Sequence, residues 1–296
     1  MADHAHAHAP RPLGGNLLTP FTLLLGVLSA IAGVILLYRM IYGLGAVTNL
    51  NDGYPWGIWI AYDVVVGSAF ACGGYAMALL VYIFNKGQYH PLVRPALLAS
   101  LFGYTLAGAS VIFDLGRWWN FWHIFWPGYA QVNSVMFEVA VCISAYIVVM
   151  WIEFSPTFLE KLGMKDVKQK LNKLLFFFIA LGVLLPSMHQ SSLGSLLVIF
   201  GQQIHPLWQS GMLLPVIYLM TAILLGFAVV IFEATLSSTG FDRPLETKVL
   251  TPLSRIMFWL LAAYVVVRVL DLVFRGALGT AFAATWQAVW FWIEMA

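Results

Sequence analysis

Long apolar runs broken by short polar stretches fill the chain almost from end to end. Seven complete runs stand out, at residues 20–44, 57–84, 95–115, 134–154, 171–188, 213–236 and 253–274, and an eighth opens at Trp286. Each complete run is near or above the roughly 20 residues that a membrane-spanning α-helix needs. Membrane-spanning strands would alternate apolar and polar positions over about 10 residues. These runs do not alternate. The pattern predicts an all-α fold, a polytopic transmembrane helical bundle of about eight spans, with the last one truncated at Ala296. The division that follows is a disordered tail at 1–16 and a transmembrane helical domain at 17–296.

Composition agrees. Hydrophobic residues make up 61% of the 296 positions and charged residues 9%, and the mean hydropathy is +0.86. A soluble domain carries about 25% charged residues. The net charge of +2 is too small to suggest nucleic acid. The opening MADHAHAHAPRPLGG reads as a tail rather than a metal chelator. It does not read as a cleavable signal, because the first apolar run is longer than the 7–15 residues of a signal core. The two cysteines, Cys72 and Cys142, lie inside apolar runs with no second cysteine nearby and read as small core residues.

Basic residues give an orientation. With the N-terminus inside, the inner segments hold Arg11, Lys86, Arg94, Lys161, Lys165, Lys168, Lys170, Lys173, Arg243, Lys248 and Arg255. The outer ends hold only Arg39, Arg117, Arg268 and Arg275. Cytoplasmic segments are enriched in Lys and Arg, so the N-terminus is expected in the cytoplasm. One outer loop carries Trp118, Trp119, Trp122 and Trp126, suited to an interfacial belt or to a docking partner. Ala99, Gly103 and Ala107 on the third run, and Gly67, Gly73 and Gly74 on the second, read as helix-packing positions.

Ionisable residues inside spans are costly and are functional candidates. Asp63 lies seven residues past Trp56, roughly 10 Å below the outer end at 1.5 Å per residue. Glu138 lies roughly 7 Å deep by the same rise. Neither has a basic neighbour in sequence. Asp114 and Arg117 are spaced i, i+3 and are expected to pair, as are Arg268 and Asp271. Arg39 and His189 are placed near outer ends, and Glu294, in the eighth span, about as deep from its outer end as Asp63, whereas Glu153 and Glu233 lie at inner ends open to water. A carboxylic acid in apolar surroundings can donate a hydrogen bond or pass a proton, which a carbonyl-bearing lipid such as a quinone requires. Ser100, Tyr104 and Thr105 read as packing hydroxyls, with a proton path as the alternative. Haem needs histidines on facing helices. His90, His123, His189 and His205 all fall at or beyond span ends on this reading, so haem is not expected, and no cysteine cluster offers an iron–sulfur site.

The stretches GYPWGIWIAYD, GSAFACGGYAMA, VYIFNKGQYHPLVRPALLASLFGY and FDLGRWWN, with NSVMFE, LPSMHQSSLGSL, HPLWQS and the final FWIE, resemble the HybB-like branch of the NrfD/PsrC family. These are integral membrane subunits of respiratory nickel–iron hydrogenases. The resemblance covers nearly the whole chain. HybB-like proteins continue with further spans, so this chain looks like part of a longer one. The resemblance implies a multi-pass protein of the bacterial inner membrane, free of haem, that binds menaquinone or ubiquinone near the periplasmic face. Its implied partners are a ferredoxin-like iron–sulfur subunit and the hydrogenase small and large subunits, which hold the clusters and the nickel–iron site. It points to Asp63, Asp114, Gly116 and Arg117 as quinone-pocket or proton-path residues, with Glu138 and His189 added more weakly. Spans one to four are the expected quinone-binding bundle. In the expected reaction Asp63, with Glu138 or His189, supplies protons, and Arg117 stabilises the reduced ring. Two other classes share these features: a transporter or channel, and a passive anchor of a redox complex.

Overall fold

The computed structural model describes residues 18–51, 53, 57, 59–241 and 244–296. The His-rich tail, Arg11, Trp56 and Arg243 lie outside these residues. The described part is helical, without a β-strand. Its main helices are α1 (Pro20–Tyr42), α2 (Trp59–Ile83), α3 (Val93–Asp114), α4 (Val135–Lys161), α5 (Lys165–Ile199), α6 (Leu214–Phe241), α7 (Thr247–Phe274) and α8 (Trp286–Met295). The first seven are long and apolar enough to cross a membrane. The all-α transmembrane bundle predicted from the apolar runs is therefore the observed fold.

Local chemistry sets the helix boundaries. Thr19 caps α1: its hydroxyl accepts from Thr22 N at 3.3 Å, and Pro20 occupies the first turn, where its missing N–H costs nothing. The largest departure from expectation is α5. The apolar run suggested 171–188, but the helix is Lys165–Ile199. Its lysine-rich start is helical although it is not apolar. Its polar stretch after Pro186 also stays helical, because serines bond back to the preceding turn: Ser187 Oγ donates to Val183 O at 2.7 Å, and Ser195 Oγ to Ser191 O at 3.1 Å. Hydropathy alone sees neither extension.

Span two is not a uniform α-helix. Its turns at Tyr62–Gly67 and Leu79–Ile83 are π-helical, and the backbone departs from α geometry at Ala71 and Cys72. Asp63 sits in the first π turn.

Successive helices alternate direction, so the bundle has two distinct ends. One carries the 3-10 helix Trp118–Phe125 between α3 and α4 and is called the aromatic end. The other carries the α4–α5 connection, flanked by Lys161 and Lys165, and is called the lysine end. The buried core joins α2, α3, α4, α5 and α6 through Cys72, Tyr75, Leu101, Tyr104, Tyr146, Met150, Leu193 and Ala222. A second cluster adds α7 through Leu250 and Leu253. Lipid tails are as apolar as leucine, so helices here associate through close packing and polar contacts. Gly226 of α6 lies so close to α2 that a Cβ there would stand 2.6 Å from Cys72 O. Helix α1 carries one buried residue, Arg39.

Candidate functional site

At the aromatic end three helix ends converge on a polar cluster. Trp59, in the first turn of α2, donates its Nε1–H to Asp114 Oδ1 at 2.9 Å. One turn further along α2, Asp63 brings its carboxyl against that of Asp114. Arg39, 2% exposed, faces the same carboxyl from α1. Its Nε donates to Phe113 O at 2.7 Å and another guanidinium nitrogen to Leu115 O. The last carbonyls of α3 would otherwise lack partners, and a cation at a helix C-terminus is favoured. Asp114 Oδ2 is buried without a hydrogen-bond partner.

This geometry changes one expected pairing. Among the described residues no ion pair joins Asp114 to Arg117. Helix α3 ends at Asp114, and Leu115 leaves it extended (φ −70°, ψ 127°), so i, i+3 spacing no longer brings the two side chains together. Arg117 is exposed, and Arg39 takes the place expected for it beside Asp114. Glu138 sits in the first turn of α4, half-buried and near Cys142.

His189 is the second surprise. It was expected at the outer end of its span, but α5 continues to Ile199, and His189 is fully buried. Its Nε2 lies 3.0 Å from Tyr104 Oη and 3.2 Å from Gln190 Nε2, and its Nδ1 lies 3.0 Å from Leu185 O. Gln190 Nε2 donates to Ser68 Oγ at 3.1 Å, and Cys72 Sγ lies 3.2 Å from Tyr104 Oη. Five side chains from α2, α3 and α5 thus form one buried hydrogen-bonded network. From sequence Tyr104 and Cys72 read as packing residues, and the apolar pattern does not single out Gln190, Ser68 or Trp59. The signal for Gln190 is its setting: it belongs to a run of four polar residues, His189–Ser192, that follows the apolar middle of α5.

Gln190 also lines a cavity of about 410 Å³ whose other polar walls include Trp208, Tyr264, Arg268 and Glu294. Glu294 accepts from Trp208 Nε1 at 2.6 Å and from Tyr264 Oη at 2.5 Å. The expected Arg268–Asp271 pair is not made. Arg268 turns inward, donating to Ser210 Oγ at 2.7 Å and Leu207 O at 3.0 Å, while Asp271 pairs with Arg275 at 2.6 Å. Both i, i+3 and i, i+4 partners were available to Asp271, and the buried carbonyl of Leu207 competes successfully for Arg268.

At the lysine end, Glu153 is not open to water in the way expected. Helix α4 runs on to Lys161, so Glu153 is two turns inside it, and its Oε1 is buried without a partner.

An axial histidine needs a ring nitrogen available to iron and normally a second histidine opposite. Both nitrogens of His189 are engaged. His90 lies in the 3-10 turn Gly87–Leu92 ahead of α3, His123 stacks on Tyr129 with ring centroids 4.1 Å apart, and His205 lies in the loop after α5. The described histidines do not fit a haem.

Residues 46–296 match the family described as Polysulphide reductase, NrfD. An Escherichia coli protein named "Probable Ni/Fe-hydrogenase 2 b-type cytochrome subunit" is 50% identical over 98% of this chain and 74% of its own length. The "Menaquinone reductase, integral membrane subunit" of Nitratidesulfovibrio vulgaris is 31% identical over 57% of this chain and 42% of its own.

Proposed function

The chain belongs to the NrfD family, and from that premise we propose that it is the haem-free, quinone-reactive membrane subunit of a hydrogen-oxidising respiratory complex. The name of the E. coli relative supports the hydrogenase context, and that of the N. vulgaris relative supports menaquinone as the substrate class, with ubiquinone as the other member. The observation that carries the reading is the acid pair Asp63–Asp114, fixed by Trp59 and faced by Arg39 within a span.

Reduction of a quinone consumes two electrons and two protons and yields the quinol. In the proposed arrangement the electrons come from a ferredoxin-like iron–sulfur subunit docked with the hydrogenase small and large subunits at the aromatic end, on the periplasmic side of the bacterial inner membrane. The basic-residue bias supports that orientation. Two carboxyls in contact are most simply accommodated with one proton between them, and such a pair can give that proton to a ring oxygen. Asp63 is the first donor. Glu138 and His189 are the further proton-bearing groups on neighbouring helices. Positive charge from Arg117 stabilises the ring as it gains electrons, while Arg39 holds Asp114 in place.

Asp63→Asn keeps the shape and removes the acid. In the assembled complex it is expected to abolish hydrogen-dependent quinone reduction and to leave hydrogen-dependent dye reduction intact. Unchanged quinone reduction would sink the assignment. It would favour a passive anchor, for which no quinone should co-purify with the complex.

A further inference from the structure

The lysine end holds a polar cavity with no role in the reaction above. Its volume is about 360 Å³, and Glu153 lies in its wall together with Tyr82, His90, Arg94, Tyr146, Glu160 and Lys168. Glu160 and Lys168 form a partly exposed ion pair at 2.9 Å in the same wall. Glu153 Oε1 has no hydrogen-bond partner, and the carboxyl lies against α5 where Gly182 leaves room. A Cβ on Gly182 would stand 2.5 Å from that oxygen.

A buried carboxyl oxygen without a partner, as Glu153 Oε1 is, costs stability. Here it brings no ion pair and no helix cap in return. An acid kept in such a position points to a use for its proton. An anionic ligand is a poor alternative occupant, because the two cations of the wall, Lys168 and Arg94, are matched by its two acids, Glu153 and Glu160. Inward, the cavity stops at Tyr146, whose ring packs edge-on against Tyr104 with centroids 4.7 Å apart, and Tyr104 carries the hydrogen bond to His189.

We infer that Glu153 is a proton-uptake group that takes protons from water in the lysine-end cavity and releases them inward past Tyr146, supplying those consumed at the aromatic end. This rests on the quinone reading for the fate of the protons, but not for their entry. Each quinone reduced draws two electrons from the reduced iron–sulfur partner and two protons through Glu153. The carboxylate gains and loses one proton per passage and is unchanged after turnover. Electrons and protons then reach the quinone from opposite faces, so turnover separates charge.

Two measurements on the purified full complex test this. The first is reaction with dicyclohexylcarbodiimide, which captures protonated carboxyls in apolar surroundings, read by peptide mass spectrometry. The expected result is an adduct on Glu153 that is absent in Glu153→Gln and reduced several-fold in Gly182→Ala, whose methyl displaces the carboxyl without removing it. The second is the membrane potential generated by hydrogen and quinone in proteoliposomes. It is expected to fall at least 10-fold in Glu153→Gln and to recover in Glu153→Asp. No adduct on Glu153 in the wild-type complex, or a full potential in Glu153→Gln, overturns the inference. If Glu153→Gln fails to assemble, the wild-type adduct and its loss in Gly182→Ala decide. Asp63→Asn is expected to stop quinone reduction while leaving the Glu153 adduct in place, which separates a failure of the quinone assignment from a failure of this one.

Discussion

Trp59 Nε1 donates to Asp114 Oδ1 at 2.9 Å, tying the start of α2 to the end of α3. One carboxyl oxygen is thereby fixed, and the other is left buried and unpartnered beside Asp63. Trp59→Phe keeps an aromatic ring and deletes the donor. A hydrogen bond to a charged group contributes about 1.5–3 kcal/mol, and each 1.4 kcal/mol is tenfold. Quinone reduction is expected to fall roughly 10- to 100-fold in kcat/KM, measured with a short-chain quinone, while assembly is retained. A value within about twofold of wild type would remove Trp59 from the site.

Arg39 binds the frayed end of α3 with two nitrogens of a planar fork, and a lysine offers only a point charge. Arg39→Lys and Arg39→Ala are both expected to destabilise the protein, by about 1–3 kcal/mol, since buried interhelical hydrogen bonds in membranes contribute roughly 0.6–1.7 kcal/mol each. Thermal unfolding in detergent checks this. Full rescue by lysine would mean that charge alone matters at this position.

The corrected pairing on α7 is open to a double-mutant cycle. Asp271 and Arg275 should show a coupling of about 0.5–2 kcal/mol, and Arg268 with Asp271 close to none. Equal coupling in both cycles would contradict the geometry.

Gly226 and Gly33 make a matched pair of tests. An added methyl at Gly226 meets the backbone of α2, whereas at Gly33 on α1 nothing lies within 4 Å. Overpacking costs about 1–3 kcal/mol. Gly226→Ala is expected to lower the melting temperature, and Gly33→Ala to leave it unchanged or raise it slightly, because alanine favours the helix.

The spans were legible because the cost of exposing polar backbone in lipid leaves long apolar runs in any sequence that crosses a membrane. What that signal cannot see are polar residues that stay helical inside a bundle. The true length of α5 is the main case, and with it the depth of His189, since serine hydroxyls bonding to their own helix are invisible to hydropathy. Asp63 and Asp114 were each legible as misplaced acids. Their contact was not, because nothing local relates α2 to α3. The two expected ion pairs were inferred from helical spacing, and spacing only offers partners. The end of α3 at Leu115 removed one, and the Leu207 carbonyl with Ser210 drew Arg268 away from the other.

The π turn at Tyr62–Gly67 has a consequence for how span two tolerates change in length. A π turn holds one more residue than an α turn. Deleting a single residue there would let the helix close into regular α form with little net rotation, because the surplus residue is what the wider turn absorbs. Trp59 would keep its place against Asp114, and Tyr75 its place in the core. The same deletion in a regular α stretch between Trp59 and the core would instead turn Trp59 away from α3 by about 100°.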